Sequence, residues 1–186
     1  MAVLGGRFIE RCPDCPYAGP AVVSRGDPTS QFVLVGEAPG DREIEEGRPF
    51  VGPAGRILST AIAAAGLAED DVLIVNAIAC QPVPVRPRVG AIDACRDRLR
   101  AELEAHPRRV VVTLGGTPFR AVTGIPCSVL AERQVGPRPF GAWILVPTVH
   151  PAWVLRWKAD RLGMLVEDLQ GAAALLQYPD HKAAAG

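Results

Sequence analysis

Four short apolar runs, Phe32–Val35, Val72–Ile78, Val110–Leu114 and Trp143–Val149, are β-branched and bounded by Gly, Pro or polar side chains. Runs of this length and composition predict buried strands. Apolar residues return at helical spacing between and after them: Ile57 to Ala65, Ile92 to Leu103, the shorter Thr117 to Val122, then Leu162, Leu165, Val166, Leu169 and Leu176. Strands that alternate with helices pair in parallel, because the helix supplies the crossover that a parallel pair requires. The expected fold class is α/β, a three-layer αβα arrangement about a central four-stranded parallel sheet.

A chain of 186 residues with 48% hydrophobic content suits one core. One domain over residues 1–178 is expected, with a frayed tail at 179–186, where HKAAAG offers no apolar face. The Pro-rich stretch Gln81 to Arg88 is too short and stiff for a flexible linker and reads as a shaped loop. Twenty basic residues balance twenty acidic ones, so any polyanion site must be a local patch. No apolar run approaches the ~20 residues that span a bilayer, and MAVLGGRFIERC lacks the apolar stretch of a signal peptide. The expectation is a cytoplasmic monomer with no membrane partner.

In a reducing compartment five cysteines point to a metal site or to core packing. Cys12 and Cys15 form C-P-D-C-P, whose two thiolates can grip one metal ion or one cluster edge. Cys80 is read as ending the second strand. Cys95 lies on the inward face of a helix over Ala91–Ala105, three residues after Ile92 and four before Leu99. Both also suit the role of small buried hydrophobes, which is the reading for Cys127. Four thiolates fit Zn²⁺ or a [4Fe–4S] cluster, and spacing alone does not choose between them.

Open parallel sheets build their sites at the carboxyl ends of the strands. There this chain places G-E-A-P-G (Gly36 to Gly40), Asn76, Gly115-Gly116-Thr117 and Thr148-Val149-His150-Pro151. Glu37, Asn76 and His150 each have an ordinary structural reading: a solvated turn residue, a hydrogen-bonded sheet-edge amide, a core histidine. Together they bring a carboxylate, an amide and an imidazole to one edge, and each would otherwise need its own partner there. Phe50, in the rigid segment G-R-P-F-V-G-P-A-G-R, can stack on a planar ligand or anchor the loop in the core.

The motifs G-E-A-P-G, P-F-V-G-P-A-G, N-A-I-A-C and H-P-A-W-V-L-R, with the four spaced cysteines, resemble family 4 of the uracil-DNA glycosylases over about Cys12 to Leu169. The resemblance implies a [4Fe–4S] cluster on Cys12, Cys15, Cys80 and Cys95. It implies uracil-containing DNA as substrate, hydrolysis of the glycosidic bond, and a base pocket lined by Gly36, Ala38, Gly40, Phe50 and Asn76. Phe50 would stack on the flipped base, Asn76 would read its edge, His150 would donate to O2, and Glu37 would position water. Leu155 is the expected wedge, with Arg156 and Lys158 near phosphates.

Two departures stand out: Ile44 occupies a position that is often acidic in the family, and QPVPVRPRVG replaces its Asn-Arg loop. The chain also lacks the histidine-bearing insertion of relatives that become trapped covalently on DNA, so turnover is expected. The alternatives are a catalytically weak DNA-binding module, a glycosylase for hypoxanthine or xanthine, and a zinc-stapled structural protein.

Overall fold

The structure, a computed structural model, describes residues 21, 22, 24–81, 89–157 and 161–177. Its strands are β1 (Arg25–Gly26), β2 (Phe32–Gly36), β3 (Leu73–Asn76), β4 (Val110–Leu114), β5 (Arg138–Phe140) and β6 (Trp143–Thr148). The helices are α1 (Asp41–Glu46), α2 (Pro53–Ala64), α3 (Val89–Glu104), α4 (Gly116–Thr123), α5 (Val129–Val135), α6 (Pro151–Trp157) and α7 (Leu162–Ala174).

The strands form one sheet in the order β1-β3-β2-β4-β6-β5, and the middle four are parallel. These are the four strands expected from sequence. The sheet also carries two antiparallel edges: β1 pairs only Arg25 and Gly26 with β3, and β5 pairs three residues with β6. Both are short, and β5 contains Pro139, so neither has the apolar run that marks a buried strand. The second strand is shorter than the run Val72–Ile78. Cys80 therefore does not end it but lies four residues beyond Asn76, in an isolated bridge with Ala21.

Strand side chains alternate between two cores. Phe32, Leu34, Ile74, Val112 and Val146 face one, which Leu58 and Ile62 of α2, Val154 of α6 and Leu165 and Leu169 of α7 complete. Val33, Val35, Leu73, Val75 and Val111 face the other, with Ile92, Cys95 and Leu99 of α3 and Phe119 of α4. Helices on both faces make the αβα layering. Burying each such aliphatic side chain stabilises the fold by roughly 1.5–3 kcal/mol. The alternation also places Gly36, Asn76 and Thr148, each two residues beyond a member of the first core, on the face that α2, α6 and α7 cover.

Candidate active site

The polar groups expected at the strand ends gather at that carboxyl edge. Gly36 and Asn76 are register partners on β2 and β3. Beyond them the chains stay paired, with Ala77 N–H donating to Gly36 O at 2.8 Å and Ile78 N–H to Glu37 O at 2.9 Å. A Cβ on Gly36 would stand 2.4 Å from Phe50 Cε2 and 2.6 Å from Asn76 Oδ1. Phe50 and Asn76 therefore crowd one small space over the end of β2, and only glycine leaves it open.

Asn76 is 2% exposed, and its Oδ1 is buried without a hydrogen-bond donor. A buried carbonyl oxygen left unpaired costs about 1–3 kcal/mol, a cost a bound N–H donor would remove. Asn76's backbone is held from behind: Arg98 of α3 donates to Asn76 O at 2.5 Å and to Ala77 O at 3.0 Å, and pairs with Glu102 at 2.6 Å.

Phe50 is a core anchor, the second of its sequence readings, and it stands at the core's edge. It is 8% exposed and belongs to the core that includes Leu34 and Leu58, yet its ring also reaches Gly36 and His150. Its φ is +56°, the left-handed region that non-glycine residues rarely adopt. The following motif explains how the turn is met. Gly52 caps α2, Pro53 opens its first turn, and a Cβ on Gly55 would lie 1.8 Å from Phe50 O.

His150 lies just before Pro151, at the start of α6. Its carbonyl accepts from Trp153 N–H at 2.9 Å, and its Nδ1 accepts from Ala152 N–H at 3.1 Å. An accepting Nδ1 carries no proton, so the neutral ring bears its hydrogen on Nε2. Burial first, and then the nearby Arg156 charge, pushes the imidazole down to about 4. His150 is thus a neutral donor through Nε2 at physiological pH. Gly115, at φ +104°, donates to Thr148 O at 2.9 Å, and a Cβ there would come within 3.2 Å of His150 Cβ. Thr148 in turn donates to Asp168 Oδ2 at 2.5 Å, which also accepts from Arg133 Nε at 2.7 Å, so α5 and α7 brace the strand that delivers His150.

Glu37 follows Gly36 directly and is half-buried; its carboxylate makes no hydrogen bond to a described residue. Ala38 packs against the α3-side core. Gly40 N–H donates to Glu43 Oε2 at 3.2 Å. Leu155 is 50% exposed on α6, next to exposed Arg156, whereas Lys158 lies outside the described residues. Gly115 was placed at the strand ends by sequence, whereas sequence reasoning missed the roles of Glu43, Gly55 and Arg98. Only Glu43 had a signal, three residues after the helix-capping Gly40.

Cys95 is 1% exposed on α3, and half-buried Cys80 packs against the same core. Cys12 and Cys15 lie outside the described residues. Ala21, six residues after Cys15 in sequence, bridges Cys80, and Val22 N–H donates to Ala79 O at 2.8 Å, so Ala21 and Val22 run beside the exit of β3. Among the described residues no three metal-ligating side chains come together.

A buried amide with an unsatisfied acceptor, an aromatic face and a neutral imidazole donor, at the carboxyl edge of a doubly covered parallel sheet, define an α/β protein equipped to grip a planar ring with N–H and C=O edges. The chain belongs to the uracil-DNA glycosylase superfamily, whose family model matches residues 23–170. It is 33% identical over 175 residues to a type-4 uracil-DNA glycosylase of Thermotoga maritima, covering 91% of each chain. It is 37% identical over 173 residues to one of Pyrobaculum aerophilum, covering 87% of this chain and 88% of that one. A type-4 uracil-DNA glycosylase of Sulfurisphaera tokodaii is 33% identical over 183 residues, with 91% of this chain and 81% of that one covered.

Proposed function

We propose that this chain is a DNA-repair glycosylase that hydrolyses the N-glycosidic bond of deoxyuridine in DNA, releasing uracil and leaving an abasic site. The observation that carries the reading is the unpartnered Oδ1 of Asn76, which shares the space over Gly36 with the Phe50 ring. Uracil N3–H would donate to that oxygen, and the Asn76 amide N–H would meet O4. The base would lie on Phe50 with O2 toward His150 Nε2–H. Cytosine presents an acceptor at N3 and an amino group at C4, so the same amide would face it with mismatched groups.

As the C1′–N1 bond lengthens, its electron pair leaves with the base and positive charge grows on the sugar. The His150 donor then faces an oxygen that becomes more negative, and the hydrogen bond strengthens most in the transition state. Water adds its oxygen to C1′, and the proton it releases ends on solvent or on the departing base. Glu37, beside the pocket with no hydrogen bond from its carboxylate to a described residue, would orient that water. Extruding the base costs a few kcal/mol, which Leu155 as a wedge and Arg156 and Lys158 on phosphates would offset.

Cys12, Cys15, Cys80 and Cys95 would hold a [4Fe–4S] cluster, a reading supported by the soft four-thiolate set and by the strand-like pairing of Ala21 with Cys80. When bound, the cluster supplies a tie between the N-terminal segment, the exit of β3 and α3. One domain over residues 1–178 is part of the same reading. Among the described residues no helix is long and apolar enough to cross a membrane.

The reading is tested with oligonucleotides carrying uracil, hypoxanthine or xanthine, treated with alkali after incubation. Strand cleavage at uracil is expected. Cleavage at hypoxanthine or xanthine alone would assign another deaminated base, and none at any of them would leave a DNA-binding module.

A further inference from the structure

The loop that carries Phe50 is anchored by a single carboxylate. Glu43 Oε1 accepts from Val51 N–H at 2.9 Å and from Gly52 N–H at 2.8 Å, while Oε2 accepts from Gly40 N–H at 3.2 Å. Gly40 closes G-E-A-P-G, and Val51 and Gly52 immediately follow Phe50, so one side chain joins the two loops that form the pocket. The glycines leave it room: a Cβ on Gly40 would meet Glu43 Oε2 at 2.9 Å, and one on Gly52 would meet Oε1 at 3.2 Å. An ionised carboxylate only accepts, and its two oxygens can take several donors, which suits three converging N–H groups. Glutamine offers one such oxygen and turns an amino group toward a donor.

The backbone at Phe50 needs such a hold, since its left-handed φ of +56° is disfavoured for an aromatic residue. We propose that Glu43 is a positioning residue: by pinning the amides that follow Phe50 to the amide of Gly40, it holds the aromatic ring at the separation from the G-E-A-P-G loop that admits a flat pyrimidine. The inference rests on the reading of Phe50 as the surface on which the base stacks. Glu43 touches neither base nor sugar in this account, and acts only through the loop.

Two measurements on the full-length protein test it. In the first, hydrogen exchange is followed by mass spectrometry in peptides spanning residues 47–55. Glu43→Ala is expected to speed exchange there by at least about tenfold and to leave β4 and α7 unchanged. The second is a double-mutant cycle on uracil-DNA excision. Glu43→Ala should lower kcat/KM roughly 10- to 100-fold when Phe50 is present, the range for lost charge-assisted hydrogen bonds. With Phe50→Leu in place, the loss should shrink to less than about threefold, because there is no aromatic face left to position. Glu43→Gln, which keeps one acceptor oxygen, should fall between wild type and Glu43→Ala, and it carries both measurements if the alanine variant does not fold. Unchanged exchange in the loop, or the same loss of kcat/KM with and without Phe50, would overturn the proposal. A wild-type chain that excises no uracil would overturn the reading of the pocket, while the exchange measurement would still decide whether the clamp exists.

Discussion

The rings of Phe50 and His150 stand 6.0 Å apart, centroid to centroid, with their planes inclined by 33°. That gap is too narrow and too tilted for a base to lie sandwiched between them. A ring stacked on Phe50 must therefore meet His150 with its edge, which makes the two side chains different in kind: one offers a face, the other a hydrogen bond.

The difference is measurable at Phe50. Replacing it by leucine keeps most of the volume that fills the core beside Leu34 and Leu58 but removes the aromatic face. Loss of a base–aromatic stack costs about 1–3 kcal/mol, so Phe50→Leu should weaken capture of uracil-DNA roughly 5- to 150-fold. The rate at saturating enzyme should fall less. Titration of single-turnover rates against enzyme concentration separates the two, and an unchanged half-saturation point would make Phe50 a core anchor alone.

The histidine predicts a pH signature in stability. Its folded-state pKa is about 4 against an ordinary 6.5, the result of burial and then of Arg156. Between those values the unfolded chain binds a proton that the folded chain does not. Stability is therefore full above about pH 6.5 and declines as the pH falls toward 4, by up to roughly 3 kcal/mol from this group. His150→Asn removes that contribution and leaves the carboxylates as they are. Denaturant midpoints measured from pH 7 down should fall more steeply in wild type than in His150→Asn, and parallel curves would mean that the folded protein accepts the proton readily.

The proposed ligand set divides the cysteines into four ligands and one bystander. The purified protein should be brown, with about four irons per chain. Cys95→Ala should give colourless or insoluble protein, since metal binding is coupled to folding and Cys95 is buried where α3 meets the sheet. Cys127→Ser should keep its iron. A single bound zinc, or iron lost from Cys127→Ser, would overturn the ligand assignment.

The parallel core was legible because its signal is strong and local: Val110–Leu114 is a strand from end to end, as its apolar run predicts. The short helices α1, α5 and α6 were not, having too few turns to show an apolar period. Strand-end position sufficed to place Asn76 and His150 at the carboxyl edge of the sheet. Two alternatives for Phe50 could not be separated in sequence because they do not exclude each other: the structure puts it in the core, and a residue at the core's edge can also line a pocket. Glu43 left little trace, since its partners are backbone amides up to nine residues away, and backbone amides have no sequence signature. Arg98 looked like one more charge on an amphipathic helix, and only the packing of α3 against β3 brings it to the carbonyl of Asn76.

The most direct test of the account is release of free uracil from uracil-containing DNA under single-turnover conditions, measured for wild type and for His150→Ala. If, as proposed, the imidazole donates mainly to charge that develops as the bond breaks, its removal should lower the excision rate by about 10²–10³ while DNA affinity changes little. Wild-type release of uracil, with that loss of rate in a variant that stays folded and brown, is the predicted result. Excision by His150→Ala at the wild-type rate would contradict it, and would leave His150 as the residue that starts α6 and nothing more.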